Sequence, residues 1–120
     1  MQSGVSTNAI DASTHFGAAI QILSASGPVL PSTDFIKAVG GAAGIVLTLA
    51  GHSFPTGKPT SPLVLFQVHQ AVRIDAGAGE VTFIDSSGAL FNGASTYDLV
   101  NQYQWATFIW DGSNWTVIGN

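Results

Sequence analysis

Between Leu63 and Asp75, apolar and polar residues alternate more regularly than anywhere else in the chain. The residues at even positions are Val64, Phe66, Val68, Gln70, Val72 and Ile74, and all of them except Gln70 are apolar. The odd positions turn mostly polar from Gln67 onward. A period of two residues is typical of a half-buried strand. The pattern predicts one long strand whose even positions form its apolar side, or two strands with a bend near Gln70.

A second strand signal covers residues 44–51, GIVLTLAG. This segment is apolar, contains β-branched residues and is bounded by glycine, which is typical of a strand. Its alternation places Ile45, Leu47 and Leu49 on one face and Val46 and Thr48 on the other.

Two hairpins are expected in the second half of the chain. Residues 77–79, GAG, predict a tight turn, after which residues 80–84, EVTFI, return as the antiparallel partner of the preceding strand. The last hairpin joins residues 105–110 to residues 115–118. Its turn contains Asp111-Gly112, a pair that tolerates the positive φ angles that such turns need.

The N-terminal segment, residues 1–28, shows no sustained period. Phe16, Ile20 and Ile22 can lie on one side of an extended stretch, with Gln21 opposite. We expect an N-terminal arm or edge strand over residues 1–28, of the kind that gains order by lying on a partner.

The remaining chain, residues 29–120, is expected to form one β-rich domain. Residues 34–39 predict one short helical turn, ended by Gly40-Gly41. The rest predicts short strands, with turn signals about every ten residues and little helix. This pattern is typical of an all-β protein, a compact antiparallel β-sandwich or barrel-like domain.

Charged residues make up only 8% of the 120 residues, and the formal net charge is −4. Three cations cannot neutralise a row of phosphates, so nucleic acid is not an expected partner. The low charge fits a surface solvated by uncharged polar residues. It fits equally a surface covered by neighbouring subunits, because charges are costly to desolvate. The abundance of Gly and Ala, which allow close approach, favours the second interpretation.

The chain carries no cysteine, which excludes disulfides and thiolate metal sites. Residues 1–25 lack a basic segment followed by a long apolar core, so no signal peptide is expected. The longest apolar stretch, residues 38–51, is too short for a bilayer and contains four glycines. We therefore expect a soluble protein made in the cytoplasm, with no membrane partner.

No catalytic or cofactor-binding pattern is complete. Residues 51–60, GHSFPTGKPT, place five residues between Gly51 and Gly57-Lys58, where a phosphate-binding loop has four. Pro59 also lacks the N–H that a phosphate cradle would use. No serine lies in a G-x-S-x-G turn. We expect a non-enzymatic protein without a cofactor.

No metal site is expected either. The three histidines lack metal-ligand spacing, and His69 would bind a metal only if a threefold axis brought three copies together. Asp75, Glu80 and Asp85 do not have the spacing of an EF-hand loop, and we interpret them as solvated turn residues.

Aromatic residues are concentrated in the last quarter of the chain, where Tyr97, Tyr103, Trp105, Trp110 and Trp115 lie. An exposed row of aromatics would be a platform for stacking sugars. The alternation instead puts Phe108 and Trp110 on one face, which favours a core or subunit-interface position for Trp110, with Trp115 packed across the hairpin from it. Trp105 and Trp115 stay open as surface contacts.

The segment order of residues 40–120 is GIVLTL, a Pro/Gly loop, VHQAVRIDAGAGEVTFID, LFNG and ATFIWDGSNWTVIGN. This order resembles the β-rich modules of tailed-bacteriophage virion proteins, such as capsid decoration (cement) proteins, head fibres and tail-fibre segments. The resemblance implies a structural protein that is usually a homotrimer. The shortness of the chain favours a decoration protein, bound to the major capsid protein on the capsid surface of the virion. The arm over residues 1–28 would then exchange between subunits or lie on the capsid, with Phe16, Ile20 and Ile22 as contacts.

The alternative is a short fibre module that recognises a host surface glycan through Tyr97, Tyr103, Trp105 or Trp115. A glycan hydrolase would need a pair of carboxylates, and no pair stands out in the sequence.

Overall fold

The computed structural model describes residues 19–51 and 67–120, and every regular element in these ranges is a β-strand. The nine strands are β1 (Ile20–Leu23), β2 (Gly27–Pro28), β3 (Phe35–Ala38), β4 (Ile45–Leu49), β5 (Gln67–Arg73), β6 (Val81–Asp85), β7 (Tyr97–Leu99), β8 (Trp105–Trp110) and β9 (Trp115–Gly119). The prediction of an all-β protein is confirmed.

The strands form two sheets. One has five strands in the order β9-β8-β5-β3-β1, and the other has four in the order β2-β4-β6-β7. The first six strands alternate between the two sheets, and each of β3 to β6 lies parallel to the strand two before it in the chain. The chain from β1 to β6 therefore winds as a flattened coil of three turns, in the manner of a short β-solenoid.

The last three strands close this coil by reversing direction. β7 runs antiparallel to β6, β8 to β5 and β9 to β8. Four of the seven strand pairs are parallel, so the prediction of an antiparallel arrangement was wrong for the first two-thirds of the chain. The reason is that consecutive strands cross to the opposite sheet, so each meets its partner one turn later and in the same direction.

The hairpin predicted at residues 77–79 does not form, because β5 and β6 lie in different sheets. The glycines are needed there for close approach to the preceding turn of the coil. A Cβ on Gly79 would overlap the backbone nitrogen of Gly44, and one on Gly77 would overlap the carbonyl oxygen of Gly41. The Gly79 N–H donates to that same Gly41 carbonyl at 2.9 Å.

β5 is a strand, as predicted, but its two faces are reversed. Gln67, His69, Ala71 and Arg73 are buried, whereas Val68 is 42% exposed. The strand is continuous, without the bend considered near residue 70. Burial of the polar side is possible because its side chains find hydrogen-bond partners inside the protein, and those partners are described below.

The helical turn predicted for residues 34–39 is instead β3. Pairing with β1 on one side and β5 on the other overrides the local preference of this segment. The Asp34 carboxylate accepts the N–H of Ala19 at 2.9 Å, just before β1.

β1 is an edge strand of the five-stranded sheet. Ile20 and Ile22 point outward on it, and Gln21 lies opposite, half-buried. Phe16, the third predicted contact of this segment, lies outside the described residues.

The core lies between the two sheets. Leu47 of β4 and Phe83 of β6 come from the four-stranded sheet, and Ile36 and Phe108 from the five-stranded one; all four are fully buried. The rings of Phe83 and Phe108 meet across the sheets with centroids 4.5 Å apart. β4 has the predicted faces, with its odd positions buried and Val46 exposed. No helix in the described residues is long and apolar enough to cross a membrane.

Substitution of Gly79 by Ala tests the close approach between coil turns. The added methyl group has no room beside Gly44, so we expect a loss of roughly 1–3 kcal/mol in the free energy of unfolding, measured by urea denaturation. Gly27→Ala is the matched control, because nothing lies within 4 Å of a Cβ at that position. Equal stability of the two variants would contradict the tight approach.

Candidate functional site

The turn of the last hairpin is held by Asp111. One carboxylate oxygen accepts the N–H groups of Ser113 and Asn114, both at 2.8 Å. These hydrogen bonds, that of Asn114 foremost, hold the pKa of Asp111 below its ordinary value. Gly112 has a φ of 103°, the positive value predicted for this turn. The predicted final hairpin is therefore present.

Trp110 and Trp115 are core residues. They lie opposite each other in the β8–β9 register, with ring centroids 5.0 Å apart, as the alternation predicted. The Trp115 ring also stacks nearly parallel on Phe91, at 6.2 Å. Trp110 is 6% and Trp115 1% exposed, so within this chain neither ring offers a face to a ligand.

Asp85 fixes the buried Trp115 indole in place. One oxygen of its carboxylate accepts the indole N–H at 2.9 Å, and the other accepts the N–H groups of Ser87 and Ala89 at 2.8 and 3.2 Å. Burial raises the pKa of Asp85, but these bonds and one from Gly51 outweigh it, so the pKa lies below its ordinary value. The carboxylate thus joins the end of β6 to the last strand.

The polar inward side of β5 is bonded to backbone carbonyls. His69 Nδ1 lies 2.6 Å from the Thr33 carbonyl oxygen and therefore carries the proton. The Gln67 amide donates to His69 Nε2 at 2.9 Å and to the Ala50 carbonyl at 3.1 Å. His69 is 1% exposed, so its ring is enclosed by its own chain.

Arg73 is fully buried at the end of β5. Its guanidinium donates to the carbonyl oxygens of Gly77 at 2.7 Å and Val100 at 2.6 Å. Nε donates to the Asp75 carboxylate at 3.0 Å. One cation therefore holds together the loop after β5 and the loop after β7, and the hydrogen bonds offset the cost of burying its charge.

Asp75 extends this network to a third loop. Its carboxylate accepts the N–H groups of Gly40 at 2.8 Å, and of Gly41 and Gly77 at 3.0 Å. The Arg73 guanidinium, followed by these N–H groups, holds the pKa of Asp75 well below its usual range. Asp75 and Asp85 thus serve different loops and do not converge on an ion.

The outward face of the five-stranded sheet is largely apolar. Along each of the five strands, every second side chain points inward and is more buried than its neighbours. The side chains between them point away from the core. The face consists of Ile20, Ile22, Phe35, Val68, Val72, Trp105, Ile109 and Ile118, with Lys37, Gln70, Thr107 and Thr116 among them. We call these twelve residues the outer face.

Two of the five late aromatics remain at the surface. Trp105, 42% exposed, lies on the outer face beside Val72, and Tyr103, 66% exposed, lies in the preceding loop with a φ of 65°. Tyr97 is half-buried, with its ring edge-on to Phe108 at 5.7 Å. Only Trp105 and Tyr103 could therefore stack on a ligand without rearrangement.

A shallow, open depression of about 480 Å³ lies between residues 42–46 and 78–82, where Glu80 is the one titratable side chain. Across the described ranges, no three His, Asp or Glu side chains converge to hold a metal ion.

Arg73→Met should cost roughly 3–5 kcal/mol in the free energy of unfolding, since it leaves the Gly77 and Val100 carbonyls without their donor and the Asp75 carboxylate without its ion pair. Lys37→Met is the control for losing a cation from the same sheet. Lys37 is half-buried on the outer face, and we expect a change within about 0.5 kcal/mol. Urea unfolding of both variants measures the difference; similar costs would refute a central role for Arg73.

Stability should also depend on pH through Asp75. Because its folded-state pKa is lowered from 3.8, its contribution is present above that value and is lost as the pH falls through and below it. Unfolding by urea at pH 7 and at pH 3 should show a smaller pH-dependent loss for Asp75→Asn than for the unmodified protein. An unchanged loss would mean that the Asp75 carboxylate does not couple folding to pH.

No protein-family model matches this chain, and no curated protein is similar to it in sequence. Its fold, its buried polar network and its outer face are the basis for assigning a function.

Proposed function

We propose that this chain is a non-enzymatic structural protein of a tailed-bacteriophage virion, namely a decoration protein that binds the outer capsid surface as a homotrimer. Its partners are then other copies of the chain and the major capsid protein. It is made in the host cytoplasm and acts on the capsid surface.

The observation that carries this proposal is the outer face. Ile20, Ile22, Val68, Trp105 and Ile118 are each between 42% and 69% exposed there. An apolar patch that covers a whole sheet face is characteristic of a protein–protein contact, because its exposure to water is unfavourable. The face supports a protein that works by docking in an assembly.

The aspartates with lowered pKa values support a structural role as well. Perturbed carboxylates often mark catalytic sites. Here the three described aspartates with lowered pKa values, Asp75, Asp85 and Asp111, each accept N–H groups of nearby loops. Their perturbation therefore has a cause in the fold, since each carboxylate serves as an anchor for a turn.

The N-terminal residues are connected to an open sheet edge. Residues 1–18 lead into β1, the edge strand whose free side has no partner among the described strands. Open strand edges accept further strands readily. We propose that residues 1–18 contact a neighbouring subunit or the major capsid protein and so connect adjacent capsid units.

A second candidate function is recognition of a host surface glycan. It is favoured by the exposure of Tyr103 and Trp105, which lie close together in sequence at the start of β8. Exposed aromatic rings can stack on the apolar faces of sugar rings. Trp115, considered for this role from the sequence, is enclosed in the core.

Capsid binding tests the first function. Purified protein should bind saturably, in co-sedimentation, to expanded phage capsids that lack their decoration protein. A deletion of residues 2–18 keeps Ala19 and β1, and it should bind at least tenfold more weakly. Full affinity of the truncated protein would remove the role of the N-terminal residues.

Absence of capsid binding by the full chain would overturn the decoration role itself. If the tryptophan fluorescence were instead quenched saturably by host polysaccharide, and Trp105→Ala abolished this quenching, the glycan-binding function would take its place.

A further inference from the structure

We propose that the outer face is the contact between copies of this chain, packed against the outer faces of the neighbouring copies. This rests on the proposed function, in which the protein assembles, and it assigns the face to self-association instead of to the capsid protein. In a trimer, three such faces would point towards a common axis.

The composition of the outer face fits a homo-oligomer. Eight of its twelve residues are apolar, and Lys37 is the one charged residue among them. Contacts between identical subunits are more apolar than other interfaces, and their cores are depleted of charge. The low charge of the whole chain agrees with a surface partly covered by further copies.

The size of the face fits a small interface. Adjacent strands lie about 4.8 Å apart, and each residue extends a strand by about 3.3 Å. The longest strand, β5, has seven residues and the other four have four to six, so the face covers roughly 400 Å² on each copy. Two copies together bury roughly 800 Å², which is typical of weak contacts, so we expect the association to depend on concentration.

The shape of the face suits sheet-on-sheet packing. Val68 and Ile109 are cross-strand neighbours, and Val72 lies beside Trp105 on the same pair of strands. Such rows of branched and aromatic side chains interdigitate when two sheets meet about 10 Å apart. The two sheets of the chain already pack in this way through their inward faces.

The charge pattern favours a second copy over a different protein. Recognition between unlike proteins often depends on complementary charges, and the outer face has only one charged residue, Lys37. Lys37 lies one strand in from the β1 edge, next to Ile22. Its long side chain can place the ammonium group at the rim, so two copies can meet without burying this charge.

The opposite surface of the molecule provides the contrast. The outward side of the four-stranded sheet is narrower and mixes Val46 and Ile84 with Thr48, Thr82 and Asp98. Val46 is 40% exposed in a central strand of that sheet, and Val68 is 42% exposed in a central strand of the other. The two valines therefore form a matched pair for substitution.

The test measures native mass over a range of concentrations by sedimentation velocity. The unmodified chain and Val46→Lys should be oligomeric, whereas Val68→Lys should be monomeric or should associate at least tenfold more weakly. Ile118 is 56% exposed on the edge strand β9, and Ile118→Lys should weaken association as Val68→Lys does. This second variant keeps the test valid if the substitution in β5 prevents folding. Circular dichroism establishes that each variant retains its sheets.

Two results would overturn the inference: oligomers of undiminished affinity in folded Val68→Lys and Ile118→Lys, or a monomeric unmodified chain. If the mass of these variants stays unchanged while the protein still binds capsids, the face is not the contact but the decoration role survives. If the variants dissociate while the unmodified protein fails to bind capsids, the contact is established and the decoration role is lost.

Discussion

The buried guanidinium of Arg73 determines how the rest of the fold is arranged. A cation without solvent must be surrounded by acceptors, and here the acceptors come from the loop after β5, the loop after β7 and the Asp75 carboxylate. Because Arg73 points inward, every second residue of β5 does so as well, and Val68 and Val72 must point outward. β5 is the middle strand of its sheet and pairs with β3 on one side and β8 on the other. Its orientation therefore sets which side chains of those two strands point outward. The apolar outer face follows from this one orientation.

The sequence predicted those elements in which local pattern and tertiary environment agree. β4 and the final hairpin have aliphatic or aromatic residues on the side that is buried, so their alternation indicated both the strand and its orientation. In β5 the alternation was equally clear but the buried side is polar. The partners of that side are backbone carbonyls such as that of Thr33, 36 residues before His69, and a periodic pattern carries no information about such distant groups. The pairing of Arg73 with Asp75 two residues later, on the same side of the strand, was the one local signal that this side could be buried.

The parallel winding was missed for a related reason. Gly77 and Gly79 fit a hairpin turn as well as they fit a close contact with the preceding turn of the coil, and only the tertiary structure distinguishes the two. The placement of Trp110 and Trp115 in the core was predictable because they face each other across a hairpin that the sequence defines. The outer face was not predictable as a surface, since it combines residues from five strands whose order in the sheet does not follow the sequence.

The hydrogen bond between Asp85 and the Trp115 indole has a consequence for biosynthesis. The coil from β1 to β6 lacks the aromatic rings of β8 and β9 until residues 105–119 have left the ribosome, and until then Asp85 has no indole to bind. At that stage only β1, β3 and β5 of the five-stranded sheet are present, so the edge of β5 that pairs with β8 is still open. Parallel pairings between residues far apart in sequence also form slowly. The last hairpin completes the sheet, and we expect the newly made chain to be most prone to aggregation before this hairpin closes.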